Sequence, residues 1–304
     1  MSSKTTCAVI GLGSMGYGMA QSLLKANNHV LGVDVDETRM ADFRLEGGVS
    51  DNLLDIASKL DAAVIVVLNA SQTEDVLFGD SALVANMSAG SVVIACATVP
   101  PEFARQTAAR CAEHGVHYLD APISGGATKA AQGALSIMAS GSDEAFTAAR
   151  PVLDDISETV FTLGDTAGAG SAMKAVNQLL AGVHIATMAE ALTFGITQGV
   201  EPKTFVEVIS KCAGSSWMLE NRAPHIVDGD YTPKSAVNIW LKDLGIVLDI
   251  AGSANFDAPI SKAALAEFTK AAEMGLGHED DAAVAKVYAE RAQLTLPFMD
   301  TETS

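Results

Sequence analysis

Short apolar runs and stretches with helical spacing alternate through the first part of the chain. The apolar runs lie at residues 7–10, 30–33, 62–68, 91–95 and 116–119. They are continuously apolar rather than alternating with polar residues, which is typical of strands that are buried on both faces. The pattern predicts an α/β fold with a doubly wound parallel sheet that helices cover on both sides.

The pattern changes after residue 120. Strands are predicted at residues 134–140 and 159–163, with a helix at 143–153 between them. Beyond Gly164 only helical spacing is found, at residues 168–199, 202–212, 216–225, 235–254, 259–274 and from Asp280 or Asp281 onward. We therefore place a domain boundary near Asp165, with an α/β domain at 1–165 and an all-α domain at 166–304.

One long helix is predicted at residues 168–199, where it would join the two domains. At 1.5 Å per residue it is roughly 45 Å long. Apolar and small residues lie on almost every face of it, so we expect it to be buried rather than to lie on a surface.

Charge and composition exclude several classes of function. The 304 residues carry a net charge of -18, which argues against a nucleic-acid partner, because binding phosphates needs clustered lysine and arginine. The apolar stretch at 175–189 is shorter than the about 20 residues of a membrane span and contains polar side chains, which argues against a membrane protein. An acidic chain that binds an anionic substrate would need a locally positive pocket.

The cysteines and the first residues indicate the compartment. Cys7, Cys96, Cys111 and Cys212 form no CxxC pair, and no metal-ligand spacing is found. We expect buried thiols in a reducing cytoplasm. The first residues lead directly into a predicted strand, so no signal peptide is expected.

A glycine-rich turn follows the first strand. Gly11-Leu12-Gly13-Ser14-Met15-Gly16 is a GxGxxG motif between a strand and a helix, where glycines allow a pyrophosphate to approach the helix N-terminus. Asp34 ends the next strand, at about the spacing of a ribose-binding acid. Its carboxylate would repel a 2′-phosphate, and Arg39 is the nearest arginine, so we expect NAD rather than NADP. The alternative for Asp34 is a turn residue at a strand end.

Other polar residues follow the buried strands. The segment DAPISGG leaves the strand at 116–119, and its Ser124 hydroxyl with the N–H groups around Gly125 and Gly126 would suit a carboxylate. The alternative is an ordinary Pro-Gly-Gly turn. Asn69 and Thr98 follow two further strands, at the edge where the cofactor should lie.

Lys174 is the first of the few charged residues in the long helix. Burial disfavours the ammonium form, so we expect a lowered pKa that lets the amine act as a base. Asn177 and Gln178 lie three and four residues later, on the same face. The alternative is a lysine that extends to the surface at a helix end.

Four ordered motifs, GLGSMG, DAPISGG, GSAMKAVNQ and KDLGIVLDIA, resemble the β-hydroxyacid dehydrogenase family over essentially the whole chain. The resemblance implies a Rossmann-type NAD-binding domain, with Lys174 as the catalytic acid/base and with Thr98 and Lys242 at the cofactor. The positions that match the substrate-binding residues of the family are Ser124, Gly125, Gly126 and Asn177. The family commonly has Asn-Asn where this chain has Asn177-Gln178, so we include Gln178 as a substrate-binding candidate that could tune substrate choice.

Within the family, VLNASQTEDVLFG, NQLLAGVHIA and GHEDDAAV resemble the L-threonate dehydrogenases. The resemblance implies that NAD oxidises the 2-hydroxyl of a four-carbon sugar acid, converting L-threonate to 2-dehydro-L-erythronate. Such a pocket must satisfy several hydroxyls, and Ser215, Ser216 and Asn221 could add polar partners. We also expect a homo-oligomer, a dimer or tetramer, because the helical domain has much apolar surface.

Several alternatives stay open. The nearest are a tartronate semialdehyde reductase and a 3-hydroxyisobutyrate dehydrogenase. An imine reductase is a third, although those relatives typically lack the lysine. A non-catalytic dinucleotide-binding module is the alternative from another class, and it would have no reason to keep Lys174 beside Asn177.

Overall fold

A computed structural model describes residues 4–49, 52–80 and 82–297. The chain divides into two compact units, Met1–Lys174 and Ala175–Ser304. This division falls within the long helix. The domain boundary expected near Asp165 stays a prediction.

Five parallel strands form the central sheet of the first unit, in the order β2-β1-β3-β4-β5. They are β1 (Thr6–Ile10), β2 (His29–Val33), β3 (Ala62–Ile65), β4 (Val92–Ala95) and β5 (His117–Asp120). The chain runs from β1 to β2 on one side and returns to β3 on the other. The expected doubly wound parallel sheet is therefore confirmed, with its change of direction between β1 and β3, where such folds bind ligands.

Eight helices accompany these strands in the described part of the first unit. They are α1 (Ser14–Lys25), α2 (Glu37–Leu45), α3 (Leu53–Ile56), α4 (Ala70–Phe78), α5 (Leu83–Asn86), α6 (Pro101–Glu113), α7 (Gly126–Ala131) and α8 (Asp143–Ile156). Side chains alternate between two hydrophobic cores on opposite faces of the sheet. Strand β1, for example, places Cys7 and Val9 in one core and Ala8 and Ile10 in the other. This alternation explains why the strands are apolar at every position.

A second, three-stranded sheet adjoins the carboxyl end of β5. It consists of β6 (Ile123–Ser124), β7 (Leu135–Ala139) and β8 (Ser157–Thr162), in that order. Strand β6 runs antiparallel to β7, and β7 runs parallel to β8. An isolated bridge between Asp120 and Ser140 links the two sheets.

The first unit differs from the predicted elements in three places. The strand expected at 62–68 ends at Ile65, and the next residue lies close to the glycine turn, since a Cβ on Gly11 would be 2.5 Å from the Val66 carbonyl oxygen. Helix α2 was not expected, because it buries only Phe43 and so lacks an apolar period. Helix α7 was not expected, because it follows Gly125, and consecutive glycines in a sequence are typical of a turn. The φ of Gly125 is indeed positive.

Every helix or strand assigned in the described part of the second unit is a helix, as expected. Helix α9 (Ala169–Thr197) begins in the first unit and continues into the second. It is followed by α10 (Pro202–Ile209), α11 (Trp217–Asp228), α12 (Val237–Ser253), α13 (Pro259–Ala271), a 3-10 turn (Asp281–Val284) and α14 (Ala285–Ala292). The helix expected to reach residue 274 ends as a regular helix at Ala271, and Gly275 breaks the wider turn that follows, with a φ of 85°.

A buried ionic cluster fixes the chain after α13. The Arg222 Nε donates to Asp281 Oδ1 over 2.6 Å, and Trp240 Nε1 donates to Asp281 Oδ2 over 2.8 Å. Burial raises the pKa of Asp281 to about 6 although Arg222 lowers it. Asp280 caps the 3-10 turn by accepting from the Ala282 N–H, which settles the choice between the two aspartates.

Helix α9 exposes one apolar face, so the expectation that it is buried all round is wrong. Met173, Val176, Leu180 and Phe194 are 44%, 54%, 49% and 64% exposed. At 100° per residue they form one stripe, which we call the α9 stripe. The other faces pack within the chain, whereas the described residues leave this one largely uncovered.

The length of α9 removes the argument that the apolar stretch is too short for a membrane span. It is the one helix in the described ranges that is long and apolar enough to cross a membrane by length and composition alone. However, 44% of its most apolar window is buried inside the protein, and core helices of soluble proteins pass the same test. The helix is therefore no signal of membrane insertion.

Three of the four cysteines are buried, and Cys212 is exposed. Cys212 lies beyond the end of α10 in an irregular surface segment, which corrects the expectation that all four are buried. Burial raises the pKa of Cys7, Cys96 and Cys111 to about 12.

The beginning of α9 is attached to the sheet junction by the fully buried carboxylate of Asp120. Its Oδ2 accepts from the backbone N–H groups of Gly168 and Ser171, both over 2.9 Å, and from Ser140 Oγ over 3.3 Å. Its Oδ1 accepts from Ser171 Oγ over 2.7 Å. Four donors from two distant segments thus converge on one side chain.

We expect Asp120→Ala to lower the free energy of unfolding by about 2–5 kcal/mol, because two buried N–H groups lose their acceptor. Asp120→Asn should cost less, since its amide oxygen can still accept. Burial raises the pKa of Asp120, so its ionisation reduces stability as the pH rises through the folded-state value, and asparagine removes this loss. Urea denaturation at pH 5 and pH 7 measures both effects, with the exposed Asp42→Ala as control. Equal losses for both Asp120 variants would contradict the assigned hydrogen bonds.

Candidate active site

Most of the candidate residues lie at one edge of the five-stranded sheet. The glycine turn follows β1, Asp34 follows β2, Asn69 and Thr98 come after β3 and β4, and the loop with Ser124 follows β5. Carboxyl ends of parallel strands share one edge, so the first unit brings these predicted residues together where α/β sheets bind ligands.

The glycine turn has the geometry of a pyrophosphate cradle. A Cβ on Gly16 would lie 1.8 Å from the Gly11 carbonyl oxygen, so these two glycines permit the close turn. A Cβ on Gly13 would meet nothing within 4 Å, which leaves open space over the turn. No described side chain caps the N-terminus of α1, so its N–H groups can receive a phosphate. The residues therefore fit a dinucleotide.

Asp34 holds this turn in place. Its Oδ2 accepts from the Leu12 N–H over 2.6 Å, and its Oδ1 accepts from the Asp36 N–H over 2.9 Å. A carboxylate offers about four acceptor positions, so each oxygen can also accept from a ribose hydroxyl. The Arg39 Nη1 donates to the Leu12 carbonyl over 2.8 Å, which places a guanidinium on the same turn.

Asn69 and Thr98 differ in how they are engaged. The Asn69 Oδ1 accepts from the Gln72 N–H over 2.9 Å and caps α4. This accounts for an asparagine at that position without a ligand. Thr98 is half-buried in the loop after β4. Their assignment to the cofactor stays a prediction.

The loop after β5 has a distinctive backbone. Ile123 and Ser124 form β6, and Gly125 and Gly126 follow with φ of 137° and 78°. Residues with side chains rarely adopt these angles, and a Cβ on Gly125 would lie 3.1 Å from the Lys129 side chain. Because neither glycine has a side chain, the backbone next to the Ser124 hydroxyl is left uncovered at both positions.

Lys174 lies against this same loop. It is only 9% exposed, and its Nζ donates to the Ile123 carbonyl oxygen over 2.9 Å. The alternative of a lysine that extends into solvent is therefore excluded. Because Ser171 is bound to Asp120, the turn of α9 that carries Lys174 is fixed next to Ser124.

The remaining candidates form a polar chain in the second unit. The Asn177 Nδ2 donates to Gln178 Oε1 over 2.9 Å, and the Gln178 Nε2 donates to Asp243 Oδ2 over 2.5 Å. Lys242 lies in α12, and its Nζ is 2.8 Å from Asp243 Oδ1. Gln178 and Asp243 are buried, at 8% and 3% exposure.

The other polar residues considered for the substrate make local structural bonds. Ser216 caps α11 by accepting from the Leu219 N–H. The Ser215 Oγ donates to Glu220, and the Asn221 Oδ1 accepts from Arg222. These bonds account for all three residues without a substrate.

Sequence reasoning gave no role to Asp120, Ser171 or Asp243. Asp120 ends an apolar strand, and Asp243 lies in an apolar helix, so each was visible as an acid in apolar surroundings. Their partners lie 51 and 65 residues away, and no local pattern identifies contacts over such separations.

Two family models together match nearly all of the chain. Residues 6–164 match the NAD binding domain of 6-phosphogluconate dehydrogenase. Residues 168–288 match the NAD-binding domain of NADP-dependent 3-hydroxyisobutyrate dehydrogenase.

Relatives match over most of their length and most of this chain. The chain is 50% identical to an L-threonate dehydrogenase of Cupriavidus necator, over 92% of this chain and 95% of that protein. It is 43% identical to the L-threonate dehydrogenase of Escherichia coli K12, over 95% of each. A crystal structure named 3-hydroxyisobutyrate dehydrogenase, from Salmonella typhimurium, matches with a TM-score of 0.88 and 44% identity over 93% of this chain and 100% of that one.

The matches cover both units, with the glycine turn, the DAPISGG loop and Lys174 inside the matched ranges. The chain therefore belongs to the β-hydroxyacid dehydrogenase family, and it is an NAD-dependent oxidoreductase.

Proposed function

We propose that the protein oxidises L-threonate at its 2-hydroxyl, with NAD as the hydride acceptor, to the 2-keto acid 2-dehydro-L-erythronate. The observation that carries this proposal is Lys174, which is buried and bound to Ile123 beside the Ser124–Gly126 loop. The substrate assignment is supported by L-threonate dehydrogenases that are 43–50% identical over 92–95% of the chain.

The chemistry of Lys174 follows from its hydrogen bond. A neutral amine at this position donates an N–H to the Ile123 carbonyl and can take up the proton of the substrate hydroxyl on its nitrogen lone pair. The bound cofactor supplies the site that accepts the hydride. The Ser124 hydroxyl and the backbone at Gly125 and Gly126 hold the substrate carboxylate and so fix which carbon reacts.

The nearest alternative concerns the substrate rather than the reaction. The Salmonella structure carries the name of a 3-hydroxyisobutyrate dehydrogenase at 44% identity, within the identity range of the L-threonate dehydrogenases. Tartronate semialdehyde reduction is the other alternative of this kind. A non-catalytic module is disfavoured, because it gives no reason for a buried lysine held against the Ser124 loop.

We also propose a cytoplasmic homo-oligomer, a dimer or tetramer, with no nucleic-acid or membrane partner. The α9 stripe supports self-association, because exposed apolar stripes of this kind commonly mark protein interfaces. Three buried free thiols and one exposed thiol suit a reducing compartment.

The substrate is tested by measuring NADH formation with L-threonate, D-threonate, D-glycerate and 3-hydroxyisobutyrate, and NADH consumption with tartronate semialdehyde. We expect kcat/KM for L-threonate to exceed that for 3-hydroxyisobutyrate at least about tenfold, a difference of about 1.4 kcal/mol. A preference for 3-hydroxyisobutyrate would overturn the assignment while leaving the reaction class intact.

Removing the amine tests the role of Lys174. We expect Lys174→Ala to lower kcat on the order of 10²–10⁴-fold, the usual contribution of a positioned acid/base. Lys174→Arg should be equally impaired, because arginine keeps the charge but does not give up its proton. NAD binding by calorimetry is the control and should persist. Near-normal kcat in Lys174→Arg would make the lysine an anchor for the carboxylate instead of a base.

Cofactor choice tests Asp34. We expect NAD to be preferred over NADP at least about tenfold in kcat/KM, or about 1.4 kcal/mol. Asp34→Ala should weaken NAD binding, because the Leu12 N–H loses its acceptor, and should improve the relative use of NADP, because Arg39 stays on the turn. The control is Asp34→Ala/Arg39→Ala, which should lose the gain for NADP. Equal use of both cofactors by the unaltered protein would contradict the prediction.

A further inference from the structure

Gln178 departs from the Asn-Asn pair that is common in the family, and its contacts suggest why. Its carboxamide lies between two polar groups of the second unit, receiving a hydrogen bond from Asn177 Nδ2 and donating one to Asp243 Oδ2. Gln178 is 8% exposed and Asp243 is 3% exposed. Both ends of the Gln178 amide are therefore engaged inside the protein rather than directed at a ligand.

The chemistry of the three groups fixes the direction of every bond. The Lys242 ammonium lies 2.8 Å from Asp243 Oδ1, an ion pair in which the carboxyl is a carboxylate and can only accept. Gln178 must therefore turn Nε2 toward Asp243, which leaves Oε1 toward Asn177. An oxygen can only accept from an amide, so Asn177 must offer Nδ2 to Gln178.

These hydrogen bonds determine which atom of the Asn177 amide faces away from Gln178. With Nδ2 committed to Gln178, the carbonyl oxygen Oδ1 points away from that bond and is available as an acceptor. An asparagine without such a partner can rotate its amide by 180° and present either group at similar energy. The fixed charge of Asp243 removes that freedom.

We propose that Asp243, acting through Gln178, holds Asn177 so that its Oδ1 accepts a hydrogen bond from a substrate hydroxyl other than the one oxidised. The inference rests on the proposed function. The reacting hydroxyl has one proton, and Lys174 receives it, so an additional acceptor needs a second hydroxyl. Gln178 and Asp243 are thus positioning residues that favour polyhydroxy acids over acids with a single hydroxyl.

The test exchanges the hydrogen-bond donor and acceptor between positions 178 and 243. Gln178→Glu places two carboxylates against each other, and their repulsion moves the side chain at position 178 away from Asp243 and out of its hydrogen bond with Asn177. Asp243→Asn removes the fixed charge, so that the Gln178 amide can rotate. Each single variant therefore loses the fixed orientation of Asn177, by a different route. In Gln178→Glu/Asp243→Asn, the new amide at position 243 can donate to the new carboxylate at position 178, whose other oxygen accepts from Asn177. The double variant therefore restores the orientation of Asn177 and the net charge of the two positions, although the hydrogen bond between them now runs the other way.

The readout compares L-threonate with 2-hydroxybutyrate, which keeps four carbons and the reacting hydroxyl but lacks the other two. We expect each single variant to lower the ratio of the two kcat/KM values about tenfold or more, mainly through KM for L-threonate, and the double variant to recover most of it. Asp249→Asn, an exposed charge loss on the same helix α12, is the control and should leave the ratio unchanged. Calorimetry with NAD and melting temperatures check that every variant is folded.

Three outcomes would overturn the proposal. The single variants could keep the wild-type ratio, or could lose activity on both acids in proportion, as a purely structural role would cause. The double variant could also fail to improve on Asp243→Asn, which shares the loss of the Lys242 ion pair. Failure of the proposed function is seen separately, in the wild-type substrate panel. If the wild type prefers another polyhydroxy acid, that acid and its deoxy analogue replace the pair, and if it prefers 3-hydroxyisobutyrate, both proposals fall.

Discussion

The buried carboxylate of Asp120 is the constraint on which the geometry of the first unit depends. It receives four hydrogen bonds, three of them from the residues that begin α9 and one from Ser140. Gly170 adds a steric condition, because a Cβ there would lie 2.4 Å from the Met138 carbonyl oxygen. The helix can therefore start in only one place, and Lys174, one turn later, reaches Ile123. The position of the Lys174 amine is therefore set by the hydrogen bonds that hold the start of its helix, and by its own bond to the Ile123 carbonyl.

Asp34 can also serve two purposes. The interpretation as a turn residue at a strand end and the interpretation as a ribose-binding acid are compatible. The side chain stabilises a turn by accepting from Leu12 and Asp36, and it retains acceptor positions for a ribose. The glycine turn and Asp34 are thus parts of one hydrogen-bonded unit. A substitution of Asp34 would therefore change the turn itself together with the acceptor positions that the carboxylate offers.

The sequence was sufficient for the central sheet, the glycine turn and the helical second unit, because these depend on local periodicity and on short-range motifs. It was insufficient where contacts are distant or a surface is left uncovered. The role of Asp120 depends on donors 48 and 51 residues away. The exposure of the α9 stripe depends on which helices pack around α9, since an apolar face looks the same in sequence whether or not a neighbour covers it. Helix α7 was missed because two glycines with positive φ precede and begin it.

The short hydrogen bond between Gln178 and Asp243 has an evolutionary consequence. An asparagine at position 178 is one methylene shorter, and its amide would stop well short of a carboxylate that now lies 2.5 Å from Gln178 Nε2. A lineage with asparagine here must therefore leave the acid unsatisfied, move α12 closer or give the acid another partner. In each of these cases the acid at position 243 meets a different environment, so the residue at position 178 constrains which substitutions α12 can accept around Asp243.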